Sequence, residues 1–210
     1  MKIKNKKLID FNLINSNNRI NLLEAISFME KTVNDIFHNK EKEMIWFLEH
    51  ESVYTCGRSQ VSNEKKINNT PVYNINRGGK VTWHGPGQRI IYFILNLKKR
   101  KLDNGYFVKS LEQIVIDSLL ELNIAAFRKK GLIGIWTKNF NEEDAKIASL
   151  GLRVSRGIVY HGLSINVNCN LSNFNYISPC GISNAKVTSI KELKNKIEIS
   201  KFDNILKKHL

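Results

Sequence analysis

From residue 20 to residue 37 the chain places Leu22, Leu23, Ile26, Met29, Val33 and Ile36 at steps of three and four, with polar residues between them. That period predicts an amphipathic helix. The stretch "FVKSLEQIVIDSLLELNI" (107–124) repeats it, with Leu111, Ile114, Val115, Leu119 and Leu122 on one side. Elsewhere the pattern shortens to apolar runs that predict strands: "EMIWFLEH" (43–50), "PVYNIN" (71–76), "RIIYFILNL" (89–97) and "GLIGIWT" (131–137). The run at 89–97 is almost continuously apolar, as expected of a central strand covered on both faces. "KIASLGLRVS" and "GIVYHGLSINVN" read as two strands joined at Arg156-Gly157 in a hairpin. "SVYTCGRSQVSNEKKINNT" is rich in turn formers and predicts a loop, "NFNEEDA" (139–145) a polar turn, and the tail from "VTSIKELKN" short helices. Without repeats or a flexible linker, the pattern predicts one mixed α/β (α+β) domain over residues 1–210.

Composition narrows the class. Hydrophobic residues make up 42% of the 210 positions, enough for a core. No run reaches the ~18 apolar residues of a membrane span, and "MKIKNKKLIDFNLINSNNR" lacks the apolar centre of a signal peptide. A soluble cytoplasmic protein is the expectation. Cys56, Cys169 and Cys180 form an odd, sparse set with no C-x-x-C pair, which argues against a disulfide framework and against a structural zinc site. Lys and Arg outnumber Asp and Glu by 33 to 19, a net charge of +14. Such an excess is either compositional drift or an attraction for nucleic acid, an anionic membrane or an acidic protein. The lysines are scattered and are not interleaved with aromatics on one face, so a nucleic-acid module lacks its patch.

Candidate chemistry gathers at glycines. "RGGKVTWHGPGQ" (77–88) offers backbone N–H groups with few side chains in the way, a surface suited to an acyl chain, a phosphate or an oxyanion. It has neither the G-x-G-x-x-G order nor the closing GK[ST] of nucleotide loops. Cys180, in "SPCGIS", is framed by Pro179 and Gly181, which can hold a thiol outward in a tight turn; Cys56, in "YTCGR", is its rival, and Cys169 has no such frame. A cysteine nucleophile needs a base or a cation beside it. His84 in "WHGPG", His161 in "YHGLS" and Lys146 at the head of "KIASLG" are the candidates, and spacing does not choose among them.

Three blocks together resemble the lipoyl(octanoyl) transferases, the LipB-type octanoyltransferases: "RGGKVTWHGPGQ" with "IIYFILNL", then "KIASLGLRVSRGIVYHGLSINVN", then "SPCGI". "YTCGRS" and "VTSIKEL" add to the likeness, which spans residues 45–193. The resemblance implies an α/β fold with a mixed sheet, similar to the catalytic domains of biotin and lipoate ligases. It implies transfer of an octanoyl group from octanoyl-acyl carrier protein to a lysine of lipoyl domains, those of 2-oxoacid dehydrogenase E2 subunits and of the glycine cleavage H protein, with no cofactor, no metal, no nucleic acid and no membrane. It implies Cys180 as nucleophile, paired with Lys146, through an acyl-cysteine thioester. It further implies an acyl site formed by Arg77, Gly78, Gly79, Lys80, Val81, Thr82, Trp83 and His84, by Ser149, Leu150 and Gly151, and by His161, Gly162, Leu163 and Ser164. Trp83 departs from the smaller aromatics of the family, a change that either narrows the pocket or only packs. The rival within this resemblance is an ATP-dependent lipoate or biotin-type ligase, which has no use for a cysteine nucleophile; a non-catalytic scaffold of the same fold has no use for either Cys180 or Lys146.

Overall fold

A computed structural model describes residues 11–178, 185–194 and 197–210. Its first strand, β1 (Phe11–Asn15), leads to helix α1 (Leu22–Phe37). Asn21 starts α1 by accepting hydrogen bonds from the backbone N–H groups of Leu23 at 2.9 Å and Glu24 at 3.4 Å, which satisfies donors that a helix start leaves unpaired. β2 (Glu43–Leu48) follows, and then β3 (Val53–Cys56), β4 (Lys66–Ile67), β5 (Thr70–Asn74) and β6 (Thr82–His84). β7 (Gln88–Asn96), the short α2 (Leu97–Arg100) and α3 (Asn104–Leu120) come next. Asp103 caps α3 through the N–H of Tyr106 at 3.0 Å. β8 (Ala126–Lys129), β9 (Leu132–Lys138), β10 (Asp144–Ser155) and β11 (Ile158–Asn166) form a meander. A 3₁₀ segment (Leu171–Tyr176), β12 (Lys186–Val187), α4 (Ile190–Lys194) and α5 (Ile199–His209) complete the order.

The large sheet runs β1-β2-β7-β11-β10-β9-β8, with β12 beside β10. β1 is parallel to β2 and β12 is parallel to β10, while the remaining pairs are antiparallel, so the sheet is mixed as expected. β7 is central, between β2 and β11. Ile91, Phe93 and Leu95 pack on one face with Phe107, Leu111 and Val115 of α3 and with Phe202 and Leu206 of α5. Ile90, Tyr92 and Ile94 pack on the other face with Met29, Val33 and Ile36 of α1. Both faces are covered, which is why the strand carries no polar alternation. The β10–β11 hairpin turns at Arg156 and Gly157, both at positive φ (53° and 80°), as a two-residue turn matched to strand twist requires.

The segment 52–70, expected as a loop, contains β3 and β4. With β5 and β6 they make a second sheet, ordered β4-β5-β3-β6. Val53, Tyr54, Thr55 and Cys56 are all buried there, and a third cluster of Tyr54, Cys56, Val72, Val81, Trp83, Cys169 and Phe174 lies beneath it. Among the described residues no helix is long and apolar enough to cross a membrane.

Candidate active site

A cavity of about 450 Å³ opens where the connection from β5 to β6 crosses β10 and β11. Every residue of the 77–84 run except Trp83 lines it, together with the 149–151 run, the 161–164 run and Lys146. Arg77 and Ser149, 72 positions apart in the chain, thus line one cavity. The 77–79 loop is pinned from two sides. The Arg77 guanidinium donates to the carbonyl and the hydroxyl of Thr55, both at 2.7 Å, and Gly78 N donates to Leu152 O at 3.0 Å. A side chain at Gly57 would collide with the carbonyls of Gly78 and Gly79, so the glycine of "YTCGRS" admits the loop.

Trp83 lies elsewhere. It is 1% exposed, stacks edge-on against Phe174 with ring centroids 5.7 Å apart, and donates from Nε1 to Ser52 Oγ at 2.8 Å. Strand alternation sends Thr82 and His84 to the cavity and Trp83 to the opposite face. Of its two expected roles, packing is the one the structure shows.

Lys146 reaches the cavity through an irregularity in β10. Lys146 pairs with Trp136 and Ala148 with Ile135, so two residues of β10 advance against one of β9. Such a bulge re-aims side chains. Ile147 and Ala148 both enter the core, while Lys146, 4% exposed, stays on the cavity side. Its Nζ donates to Ile133 O at 2.8 Å and lies 5.6 Å from the Trp136 ring centroid. The path of the side chain runs across Gly134. A Cβ there would stand 2.5 Å from Cε and 2.8 Å from Nζ of Lys146, and φ of 123° is a conformation that glycine alone adopts readily.

Three buried aromatic groups, His84, Tyr92 and His161, line the cavity, and a fourth, His50, bonds to the Tyr92 hydroxyl. His50 Nδ1 sits 2.7 Å from Ile20 O, which can only accept, so Nδ1 carries the proton and Nε2 accepts from the Tyr92 hydroxyl at 2.7 Å. The same reasoning fixes His84. Thr188 O accepts from Asn166 Nδ2 at 3.0 Å, Asn166 Oδ1 from Gln88 Nε2 at 2.9 Å, and Gln88 Oε1 therefore from His84 Nδ1–H at 2.7 Å. Thr188 N donates to Lys146 O at 3.0 Å, so one buried polar chain ties the glycine-rich segment to the strand that carries Lys146. His161 is held at φ of 62°, a costly left-handed conformation for a residue with a Cβ. Parity along β11 would put its ring with Val159 and Leu163. The positive φ turns it instead against Tyr160, stacked at 4.9 Å, and toward Tyr92 at 6.0 Å. Burial depresses all three imidazoles below 6.5, His50 to about 4 and His84 and His161 to about 3. Nearby Arg77 adds to the depression of His84 and His161. They are neutral at pH 7.

Two of the three cysteines are buried thiols. Cys56 is raised above its ordinary value by burial, against the pull of Arg77, and Cys169 is pushed up to about 12 by burial. Neither is a ready thiolate. Cys180 lies outside the described residues. Among the described residues no group of three or more His, Cys, Asp or Glu is placed to hold a metal ion. Sequence reasoning missed His50, Gln88, Tyr92 and Gly134. Only Gly134 carried a local signal, a glycine inside an apolar strand.

The model of the lipoyl protein ligase A/B catalytic domain matches residues 21–210. A protein named octanoyltransferase from Wolbachia sp. subsp. Brugia malayi (strain TRS) is 43% identical over 194 residues, which cover 92% of this chain and 94% of that one. An octanoyltransferase from Bartonella bacilliformis (strain ATCC 35685 / KC583 / Herrer 020/F12,63) is 43% identical over 195 residues, 88% of this chain and 80% of that one. Among solved structures, the crystal structure of P. falciparum LipL1 in complex with lipoate superposes with a TM-score of 0.71 at 18% identity. That match covers 95% of this chain and 61% of the other, and it speaks to the fold.

Proposed function

This chain belongs to the lipoyl protein ligase A/B catalytic-domain family and transfers octanoyl groups in protein lipoylation, and we propose that it does so through an acyl-thioester on Cys180 with Lys146 as its partner. The observation that supports this reading most is the cavity, which gathers Lys146 and the 77–82, 149–151 and 161–164 runs around a space bounded by Ile90, Leu163 and the Tyr92 ring. Burial of an acyl chain contributes about 0.8 kcal/mol per CH₂, so such walls hold an eight-carbon group without a charged contact.

Where Cys180 sits is part of the proposal. Val187 pairs with Lys146, and Cys180 precedes Val187 by seven positions, a reach of at most ~25 Å of chain. Lys146 takes the proton of the Cys180 thiol. The thiolate attacks the thioester carbonyl of octanoyl-acyl carrier protein, and backbone N–H groups near the site stabilise the tetrahedral oxyanion. The carrier thiolate leaves and regains the proton from Lys146. Octanoyl-Cys180 remains. A lysine amine of a lipoyl domain then attacks the same carbonyl and loses its proton to Lys146, and the Cys180 thiol departs with a proton. Every bond broken is a thioester and the last one formed is an amide, so no ATP enters. His84 and His161, neutral, line the cavity, and His50 holds the Tyr92 hydroxyl.

A transfer assay with octanoyl-carrier and lipoyl domain, without nucleotide, tests the reading. Octanoylated lipoyl domain is expected, with activity lost in Lys146→Ala. Transfer that requires ATP and starts from free octanoate would assign the chain to the ligase chemistry instead.

A further inference from the structure

The peptide unit between Ile133 and Gly134 is held at both of its polar ends. Its carbonyl oxygen, on Ile133, accepts from Lys146 Nζ at 2.8 Å. Its N–H, on Gly134, donates to Glu112 Oε1 at 3.2 Å. Pairing of β9 with β10 stops at Ile135, and pairing of β9 with β8 is irregular between Trp136 and Leu132. Two side chains therefore satisfy a peptide unit that the ladder leaves over. Carbonyl and N–H share one delocalised plane, so a carboxylate that draws on the N–H strengthens the carbonyl as an acceptor for the lysine on the other side.

Glu112 is built for this task and is poorly explained by any other. It projects from α3 and is 6% exposed. Its second oxygen accepts from Arg128 Nε at 2.9 Å, and Arg128 donates onward to Lys109 O at 2.8 Å and to Gln113 Oε1 at 2.9 Å. The carboxylate is thus clamped on one side so that the other addresses Gly134. Arg128 is itself exposed, and an ion pair with an exposed member contributes only about 0–1 kcal/mol of stability. A carboxylate retained there serves position.

We propose that Glu112 is a positioning residue for the transfer reaction, fixing through the 133–134 peptide the direction in which Lys146 Nζ points. This rests on the reading of Lys146 as the partner of the nucleophile. A carboxylate can accept from Gly134 N and Arg128 Nε together; an amide offers one oxygen and cannot serve both.

The test is steady-state octanoyl transfer by the full chain carrying Glu112→Gln, Glu112→Asp or Lys146→Met. Rates are taken per folded molecule from circular dichroism at the assay temperature, so poor folding of a variant does not decide the outcome. Glu112→Gln is expected to lower kcat by ~10- to 100-fold, the scale of a reacting group displaced by up to about 1 Å. KM for the octanoyl-carrier should stay within about twofold, because ground-state binding is untouched. Glu112→Asp, which keeps both oxygens, should recover part of the loss. Wild-type kcat in Glu112→Gln alongside a dead Lys146→Met would overturn the role of Glu112 alone. A rise in KM that accounts for the whole loss would do the same. Full turnover by Lys146→Met would instead remove the reading of Lys146 on which the role rests.

Discussion

A methyl group at Gly134 would stand 2.5 Å from Cε of Lys146, on a backbone at φ of 123°. Gly134→Ala therefore has to displace the lysine or the strand. It is expected to reduce octanoyl transfer at least ~100-fold and to cost about 1–3 kcal/mol of stability; kinetics and a denaturant titration of the same variant separate the two effects. The buried imidazoles make a second prediction at this scale. The folded protein holds His50 near 4 and His84 and His161 near 3, whereas the unfolded chain titrates them near 6.5. Between pH 6.5 and 4 the unfolded state thus binds more protons, and stability falls as pH falls. Each histidine contributes up to about 1.4 kcal/mol per pH unit, so the three together give a slope of up to about 4 kcal/mol per pH unit. Unfolding titrations at pH 7, 6 and 5 measure it. A flat profile over that range would show that the three rings titrate alike in the folded and unfolded protein, so that burial does not depress them.

Elements differ in how plainly the sequence announces them. α1, α3 and β7 are long enough for a period, or for its absence, to show, and the Arg156-Gly157 turn carries its own backbone requirement. β3, β4 and β6 have four, two and three residues, too few for alternation to emerge. That is why β3 and β4 lie inside an expected loop while their neighbour β5 falls on an expected strand, and why Trp83 reads as an acyl-site residue: only with β6 recognised as a strand does alternation turn it away. Glycine-rich runs gave away the cavity because close backbone approach leaves a compositional trace. The contacts of His50 with Tyr92 and of Gln88 with Asn166 join residues 42 and 78 positions apart, and nothing local encodes them. At the scale of one element, Asp103→Ala removes the acceptor for Tyr106 N and should cost about 1 kcal/mol, read as a melting point lowered by about 2–4 °C. Because α3 carries Glu112, its start contributes to order at the site as well as to the fold.

The whole molecule carries a net charge of +14, which suits acidic protein substrates. With acidic carrier and acceptor domains, kcat/KM is expected to fall as salt shortens the Debye length from ~10 Å at 0.1 M to ~3 Å at 1 M, while kcat at saturation changes little. Salt-independent kcat/KM would make the charge compositional. The proposed mechanism turns on one chemical claim, that the octanoyl group rests covalently on Cys180 between donor and acceptor. Intact-protein mass spectrometry after mixing the enzyme with octanoyl-carrier, in the absence of acceptor, tests it most directly. The account predicts a mass gain of one octanoyl group that disappears in Cys180→Ser and is discharged when lipoyl domain is added; an unmodified enzyme that still transfers, or a label that persists in Cys180→Ser, would contradict it.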